Sequence, residues 1–523
     1  MNTPRTRREF LAEVGRGMLA ATVGYAAASD LGLASASASA SVGEAELTFG
    51  PLEPLVRLMQ ETPANRLLPV LVEQLRGGAD LKKLTAAAAL ANARVFGGED
   101  YVGFHTMMAL GPALRMSNEL PLQLQPLPVF KVLYRNTNRI GEHGGGRADE
   151  TLRPVPAGTI PEGRIGAEVL RDAVRGQKVN EAEQTLAAIV QRSPEEAFNE
   201  LLWTVQDSTE VHRVVLPYRA WDLLGLIGRD QALTLLRQSV RYCVKAETWS
   251  HRSDWDAPRA LLPKMFDEHK LMGRAPGNRA AEDGWVDQMS QTIFRSTPEQ
   301  AAGAASAALA EGISPDALGE AITLAANQLV LRDMGRRPQD EVVGKPVGSV
   351  HGDSIGVHAT DSANAWRNMA RAGNPRNCFA CLILGAYQVA LDRTARGGDF
   401  LHWDPLPTAR HLAEIKTADP EVLLREADDA IRGNLQAKAV AVIQRYGELG
   451  HPPRAAFELL IRYAVSEDGA LHGEKFYRTV SEEFASTRPV FRWRHMAALA
   501  RVTASEFGRP AAGMAEARDL LKV

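Results

Sequence analysis

The chain has 523 residues, of which 45% are hydrophobic and 24% are charged, the composition of a protein that buries a substantial core. Lysines and arginines number 60 against 63 aspartates and glutamates, which leaves a formal net charge of −3. This charge gives no basic footprint for nucleic acid and no polybasic membrane patch, and three cysteines are too few for a disulfide framework.

The first segment resembles a twin-arginine export signal. Arg7 and Arg8 precede a Phe-Leu pair, a weakly apolar stretch follows, and Ala34–Ala40 alternates alanine with serine as A-x-A cleavage sites do. An ordinary alanine-rich amphipathic helix is the alternative interpretation. We predict that residues 1–41 are a signal peptide and that the twin-arginine export machinery is a partner. The mature protein is then exported, to the periplasm or the extracellular space.

This export route implies one further expectation. Twin-arginine export carries proteins that are already folded, and many of them acquire a cofactor in the cytoplasm. The signal therefore raises the expectation of a cofactor.

The remainder of the chain contains no run of about 18 apolar residues, the length that a transmembrane helix needs, so the sequence predicts no permanent membrane span.

Residues 42–523 predict one all-α domain in which a degenerate multi-helix unit recurs four times. Two copies are close, since Ala173-Val-Arg-Gly176 corresponds to Ala430-Ile-Arg-Gly433 and a proline-marked helix start follows each. The alternative is a generic likeness among alanine-rich helices. Terminal repeats are commonly atypical, which suits the looser first and last copies. The units span residues 55–140, 166–247, 294–392 and 421–508. We expect them to pack as a curved or closed helical array.

Each unit places one histidine at the same point, after its early helices. These histidines are His105, His212, His358 and His472. In a closed array, equivalent positions point at a shared axis, so four imidazoles can meet there. Because imidazole binds first-row transition metals, we predict a metal (Fe, Zn, Cu or Mn) or a haem at this place. The alternative is that each histidine caps or packs within its own helix.

Two tryptophans follow these histidines at similar spacing. Trp221 lies nine residues after His212, and Trp366 lies eight residues after His358. We predict that these two pairs of side chains contact the cofactor, although both tryptophans also suit the core. The neighbouring Arg219 and Arg367 can bind an anionic group or pair with an acid such as Asp222 or Asp361.

The third unit carries the densest set of polar residues. An insertion from Gly335 to Gly356 precedes its histidine, and long irregular loops in compact proteins are often functional. We predict that the catalytic residues are His351, Asp353, Asp361 and Arg367. Histidines beside carboxylates can form a base with its orienting acid, or a metal site with its supporting hydrogen bonds. A polar loop that leads into a capped helix is the alternative.

Cys378-Phe-Ala-Cys381 is a C-x-x-C pair within a helical pattern. Such a pair suggests thioredoxin-like chemistry only in a βαβ context. We therefore interpret both cysteines as small buried residues, with a redox or disulfide role as the alternative.

The short strings around His105, His212 and His358, each a helix start followed by Ala-Leu or Ala-Trp, resemble the questin oxidase-like family. The resemblance implies a helical fold and an oxidoreductase, since that family is named for a ring-opening oxygenation. It implies no particular catalytic residue.

The combined expectation is an exported metal- or haem-assisted enzyme, an oxidoreductase that acts on a small organic molecule. The alternative is a non-catalytic helical-repeat scaffold that binds a partner on its concave face. The two hypotheses differ in one observable feature. An enzyme needs the four histidines to converge, whereas a scaffold leaves them dispersed.

Overall fold

The computed structural model describes residues 46–143, 150–249, 256–343, 345–351, 354–394 and 399–523. Helices account for 72% of these residues, in 23 α-helices and a few short 3₁₀ turns, and only isolated β-bridges accompany them. The predicted all-α class is confirmed. The predicted signal peptide, residues 1–41, lies outside the described residues.

The first two units have five helices each. The first comprises α1 (Glu53–Glu61), α2 (Ala64–Arg76), α3 (Leu81–Phe96), α4 (Tyr101–Ser117) and α5 (Pro126–Glu142). The second comprises α6 (Gly166–Arg175), α7 (Val179–Val190), α8 (Pro194–Val205), α9 (Val211–Ile227) and α10 (Ala232–Ala246). The helix α11 (Pro258–Glu268) connects them to the third unit.

The last two units follow the same order of elements. The third comprises α12 (Asp283–Arg295), α13 (Pro298–Ala310), α14 (Pro315–Arg332), α15 (Ile355–Ala372) and α16 (Pro375–Asp392). After α17 (Ala409–Glu414), the fourth comprises α18 (Pro420–Arg432), α19 (Gln436–Glu448), α20 (Pro453–Ser466), α21 (His472–Ser486) and α22 (Trp493–Glu506), and α23 (Met514–Leu521) ends the chain.

Several helices begin with the Ser/Thr-Pro pattern that the sequence predicts. The Ser193 hydroxyl accepts the Glu196 N–H at 2.9 Å, and α8 starts at the intervening Pro194. Thr297 forms a full capping box with Gln300 at the start of α13. These side chains satisfy amide donors that the first helical turn leaves unpaired, while proline presets the backbone angle. Local sequence thus fixes where these helices start.

The fourth helix of each unit lies at the centre of the molecule. These inner helices are α4, α9, α15 and α21, and each packs against two of the others in the cyclic order α4, α9, α15, α21 and back to α4. In each unit, the helix immediately before the inner helix and the closing helix both pack against the inner helix. This packing fits the predicted closed array.

The inner helices are parallel, because all four histidines lie within the first five residues of their helices and meet at one level. The fold therefore brings the start of every inner helix to the same end of a central bundle. None of the described helices has both the length and the apolar character needed to cross a membrane.

Candidate functional site

Four imidazole rings form a closed cycle at this end of the central bundle. The ring centroid of His105 lies 4.9 Å from that of His212 and 5.2 Å from that of His472. The centroid of His358 lies 5.9 Å from that of His212 and 5.4 Å from that of His472. The four histidines that the repeat pattern singled out are thus brought together, one from each unit. We call them the histidine ring.

Three of the four imidazoles are held in one tautomer by their Nδ1 atoms. Nδ1 lies 2.7 Å from the Tyr101 carbonyl in His105 and 3.1 Å from the Ala470 carbonyl in His472. In His212 the acceptor is the Glu210 carboxylate, at 2.8 Å. Carbonyl and carboxylate oxygens only accept, so each Nδ1–H donates and each Nε2 keeps a lone pair. Metal-binding histidines are oriented by the same kind of hydrogen bond.

The Nε2 atoms meet the chemical requirements of metal ligands. Nε2 of His105 and Nε2 of His212 are buried, and neither has a hydrogen-bond partner among the described residues. Nε2 of His358 lies 3.4 Å from Nε2 of His472. Two tetrahedral nitrogen ligands at the usual Zn–N distance are separated by about 3.3 Å, which is close to this spacing. The residues present therefore fit a transition-metal ion.

The residue types and their tautomers suit a metal ion, but their donor atoms do not lie at coordination distance from a common point. Within the described ranges, no three His, Cys, Asp or Glu side chains are arranged as a metal centre.

Burial disfavours the charged form of two of the ring histidines. Loss of hydration lowers the pKa of His105 and that of His472 well below the ordinary value, and the nearby Lys475 lowers both further. A neutral imidazole is the form that binds a metal, so these histidines need lose no proton at neutral pH. The Glu210 carboxylate also accepts the Arg213 N–H and the Tyr242 hydroxyl, both through its second oxygen. Its pKa is about 2 despite its burial, because His212 and these donors favour the carboxylate.

An aromatic wall borders the first half of the ring. The ring of Tyr101 lies 4.4 Å from that of His105, and the ring of Phe104 lies 5.0 Å from that of His212. Tyr101 is 49% exposed, so the wall extends from the buried imidazoles to solvent. Flat aromatic surfaces of this kind suit an organic molecule better than a strongly hydrated ion.

Charged side chains lie one to two turns further along the bundle. Lys475 and Asp361 each stand three residues after a ring histidine, and both are buried. Burial lowers the pKa of Lys475 to about 8 and raises that of Asp361. Thr479 donates to Asp361 at 2.7 Å and accepts from Arg219 at 2.9 Å. Lys475 was missed by sequence reasoning, although its spacing of one turn from His472 on the same helix was a usable signal.

Of the residues predicted as catalytic, Asp361 lies on an inner helix, one turn after His358. His351 instead contacts Arg509, whose Nη1 lies 2.7 Å from its Nε2, and Glu506, whose Oε1 lies 3.6 Å from its Nδ1. These contacts hold the end of the insertion against the segment that follows α22. Asp353 lies outside the described residues.

Arg367 forms an ion pair with Glu483 at 2.5 Å, and both side chains are buried. The partners of Glu483 also include the Asn364 amide at 2.8 Å. Arg367 therefore joins α15 to α21, and its described contacts are structural.

The two predicted cofactor-binding tryptophans pack in the core. Trp366 is fully buried, and its Nε1 donates to Gln388 at 2.8 Å. Trp221 stacks on Phe198 with ring centroids 4.3 Å apart, and the Arg229 guanidinium lies 3.6 Å from the centre of its ring. Their described partners belong to the outer helices, because positions eight and nine residues after the histidine turn away from the bundle axis.

The three cysteines are free and buried. Burial raises the pKa of the Cys378 thiol to about 12, and burial also raises the pKa of Cys381. Redox and nucleophilic chemistry require the thiolate, which these surroundings disfavour. The geometry supports their interpretation as small core residues.

No family model, curated protein or solved structure matches this chain.

The first prediction concerns Arg367. Replacing Arg367 by Met leaves the Glu483 carboxylate buried without its cation, so we expect the free energy of unfolding to fall by about 3–5 kcal/mol. Urea denaturation followed by circular dichroism measures the change. The double variant Arg367→Met with Glu483→Gln should recover part of the loss. Unchanged stability in the single variant would contradict a structural role.

The second prediction concerns the carboxylate behind His212. Glu210→Gln presents an amide donor to the Arg213 N–H or the Tyr242 hydroxyl, which disturbs the orientation of His212. Loss of such a supporting group typically weakens metal binding 10–100-fold. Competitive titration with Zn(II) measures this affinity. Tyr242→Phe, which leaves the contact between Glu210 and His212 intact, is the matched control and should have a smaller effect. Equal Zn(II) affinities for Glu210→Gln and the wild type would contradict the assigned role.

Proposed function

We propose that this protein is an exported metal-dependent enzyme, an oxidoreductase that acts on a small organic molecule. The observation that carries the proposal is the closed ring of four histidines, one from each unit. A scaffold that binds partners on an outer surface has no need to gather four imidazoles at its centre, with Nε2 of His105 and Nε2 of His212 buried. Burial of a polar nitrogen without a partner costs free energy, so its retention favours a bound ligand.

The close mutual packing of the imidazoles favours a metal ion over haem. Haem iron accepts at most two axial ligands, and these lie on opposite faces of a large flat macrocycle. Here each imidazole has two imidazole neighbours, with centroids between 4.9 and 5.9 Å apart. The gap suits a single ion.

His105, His212, His358 and His472 would hold this ion. A redox-active ion such as iron, copper or manganese would supply electron transfer to an organic substrate or to oxygen. Imidazole ligands also suit zinc, which would supply Lewis-acid chemistry instead.

The chain's own residues provide the remaining parts of an active site. The aromatic wall of Tyr101 and Phe104 offers an apolar surface beside two of the ligands, and its exposed edge gives access from solvent. The hydrogen bonds at Nδ1 orient three of the imidazoles. Burial of His105 and His472 shields that part of the ring from bulk water.

Export belongs to the same proposal. The twin-arginine-like segment is suited to a protein that must fold around its metal before it crosses the membrane. We therefore place the mature protein in the periplasm or outside the cell, with the twin-arginine machinery as its partner during export.

The third prediction tests the metal directly. Protein purified from its own host should contain one equivalent of Fe, Cu, Mn or Zn by elemental analysis. His212→Ala combined with His358→Ala removes two of four ligands, so we expect at least a tenfold loss of bound metal. The control is His451→Ala, since His451 lies outside the ring and its Nε2 lies 2.9 Å from the Ala418 carbonyl.

A wild-type protein that is free of metal, and that takes up none of these ions when they are added, would contradict the proposal. The scaffold hypothesis would then be the better one. Metal retained by the double variant would place the ion elsewhere.

A further inference from the structure

Unpartnered donors lie inside the central bundle, beyond the histidine ring. Arg219 is only 2% exposed, and neither its Nε nor its Nη1 has a hydrogen-bond partner among the described residues. Its Nη2 donates to Thr479 at 2.9 Å. Buried guanidinium groups rarely leave two nitrogens unused, and a bound water or anion is one arrangement that would satisfy them.

Two buried cations, Lys475 and Arg219, lie beside the ring and share one buried carboxylate. This carboxylate belongs to Asp361, whose charge acts on both of them. Three other ion pairs involve residues of the inner helices. Lys131 lies 2.6 Å from Glu474, Arg478 lies 2.6 Å from Glu482, and Arg213 lies 2.8 Å from Glu247.

A divalent ion in the ring adds two positive charges next to these two cations. Buried charge is costly unless an opposite charge accompanies it, so an anion bound beside the metal would offset this cost. The unused Arg219 nitrogens and the ammonium of Lys475 are available as donors to such an anion. Lys475 stands one helical turn after His472 on α21, and Arg219 stands two turns after His212 on α9.

We propose that Lys475 and Arg219 form a binding site for an anionic oxygen ligand on the inner side of the histidine ring. This inference rests on the proposed metal function. The ligand is a small oxyanion, or the ionised oxygen of the substrate itself. In either case, a negatively charged oxygen balances part of the positive charge of the metal and of the two cations. Asp361, which accepts a hydrogen bond from Thr479, offsets part of the positive charge of Lys475 and Arg219.

The test uses the full chain loaded with Co(II), because the visible spectrum of Co(II) reports a change in its ligands. Formate is the probe for the anionic oxygen, and it is titrated into the loaded protein. We expect a saturable spectral change in the wild type. Lys475→Met and Arg219→Met should each weaken formate binding about tenfold or more, the usual effect of losing a charge-assisted hydrogen bond.

Three controls keep the result specific. Lys475→Arg keeps the positive charge and should retain most of the affinity. Arg237→Met removes a buried arginine that pairs with Glu183 on the outer helices, so it should leave formate binding unchanged. The thermal unfolding midpoint and the formate-free Co(II) spectrum of each variant show whether it is folded and loaded.

The outcomes separate this inference from the proposed function. Failure of the wild type to bind Co(II) would contradict the proposed function. Binding of Co(II) with the same formate affinity in the wild type, Lys475→Met and Arg219→Met would contradict the anion site alone.

A second measurement distinguishes the two sources of the anion. Ion chromatography of protein denatured after purification from its host detects any small anion that it carried. One equivalent would identify a resident oxyanion. Formate binding by a protein that carried no anion would instead support a site for the substrate's own oxygen.

Discussion

The structure depends on placing four imidazoles next to one another at the centre of a closed bundle. A ring nitrogen that is removed from water is costly unless it is oriented and hydrogen-bonded. The backbone carbonyls of Tyr101 and Ala470 and the carboxylate of Glu210 meet this need at Nδ1. The opposite nitrogens of His105 and His212 are left without described partners. An imidazole that is hydrogen-bonded at Nδ1 and has no described partner at Nε2 is arranged to bind a ligand.

The fourth unit reaches this arrangement by a strained backbone. Gly469, Ala470 and Leu471 have φ values of 49°, 48° and 66°, all in the left-handed region, directly before His472. For alanine and leucine this conformation costs roughly 1–2 kcal/mol per residue. The turn directs the Ala470 carbonyl at Nδ1 of His472. Strain that persists at such a point is stabilised by the surrounding contacts and is characteristic of functional sites.

The charged residues around the ring have two distinct roles. Arg367 with Glu483 and Lys131 with Glu474 are buried pairs that join inner helices to their neighbours. Lys475 and Arg219 differ, because they lie along the bundle axis and Arg219 keeps two unused nitrogens. The two ion pairs stabilise the bundle, whereas Lys475 and Arg219 make the electrostatic potential inside it more positive.

The sequence by itself determined the helical class, the repeated order of helices and the four ring histidines. These follow from local signals, since helix caps and apolar periodicity repeat in each unit, and a histidine occurs at the same point of each. Only the tertiary structure decided which polar residues share the site. Some residues near His358 in the sequence have their described partners away from the ring. These residues are His351, Trp366 and Arg367. Lys475 and Arg219 lie beside the ring because a helix turns the positions three and seven residues after its histidine toward the bundle axis. That selection depends on how four helices pack around one axis, which local sequence does not specify.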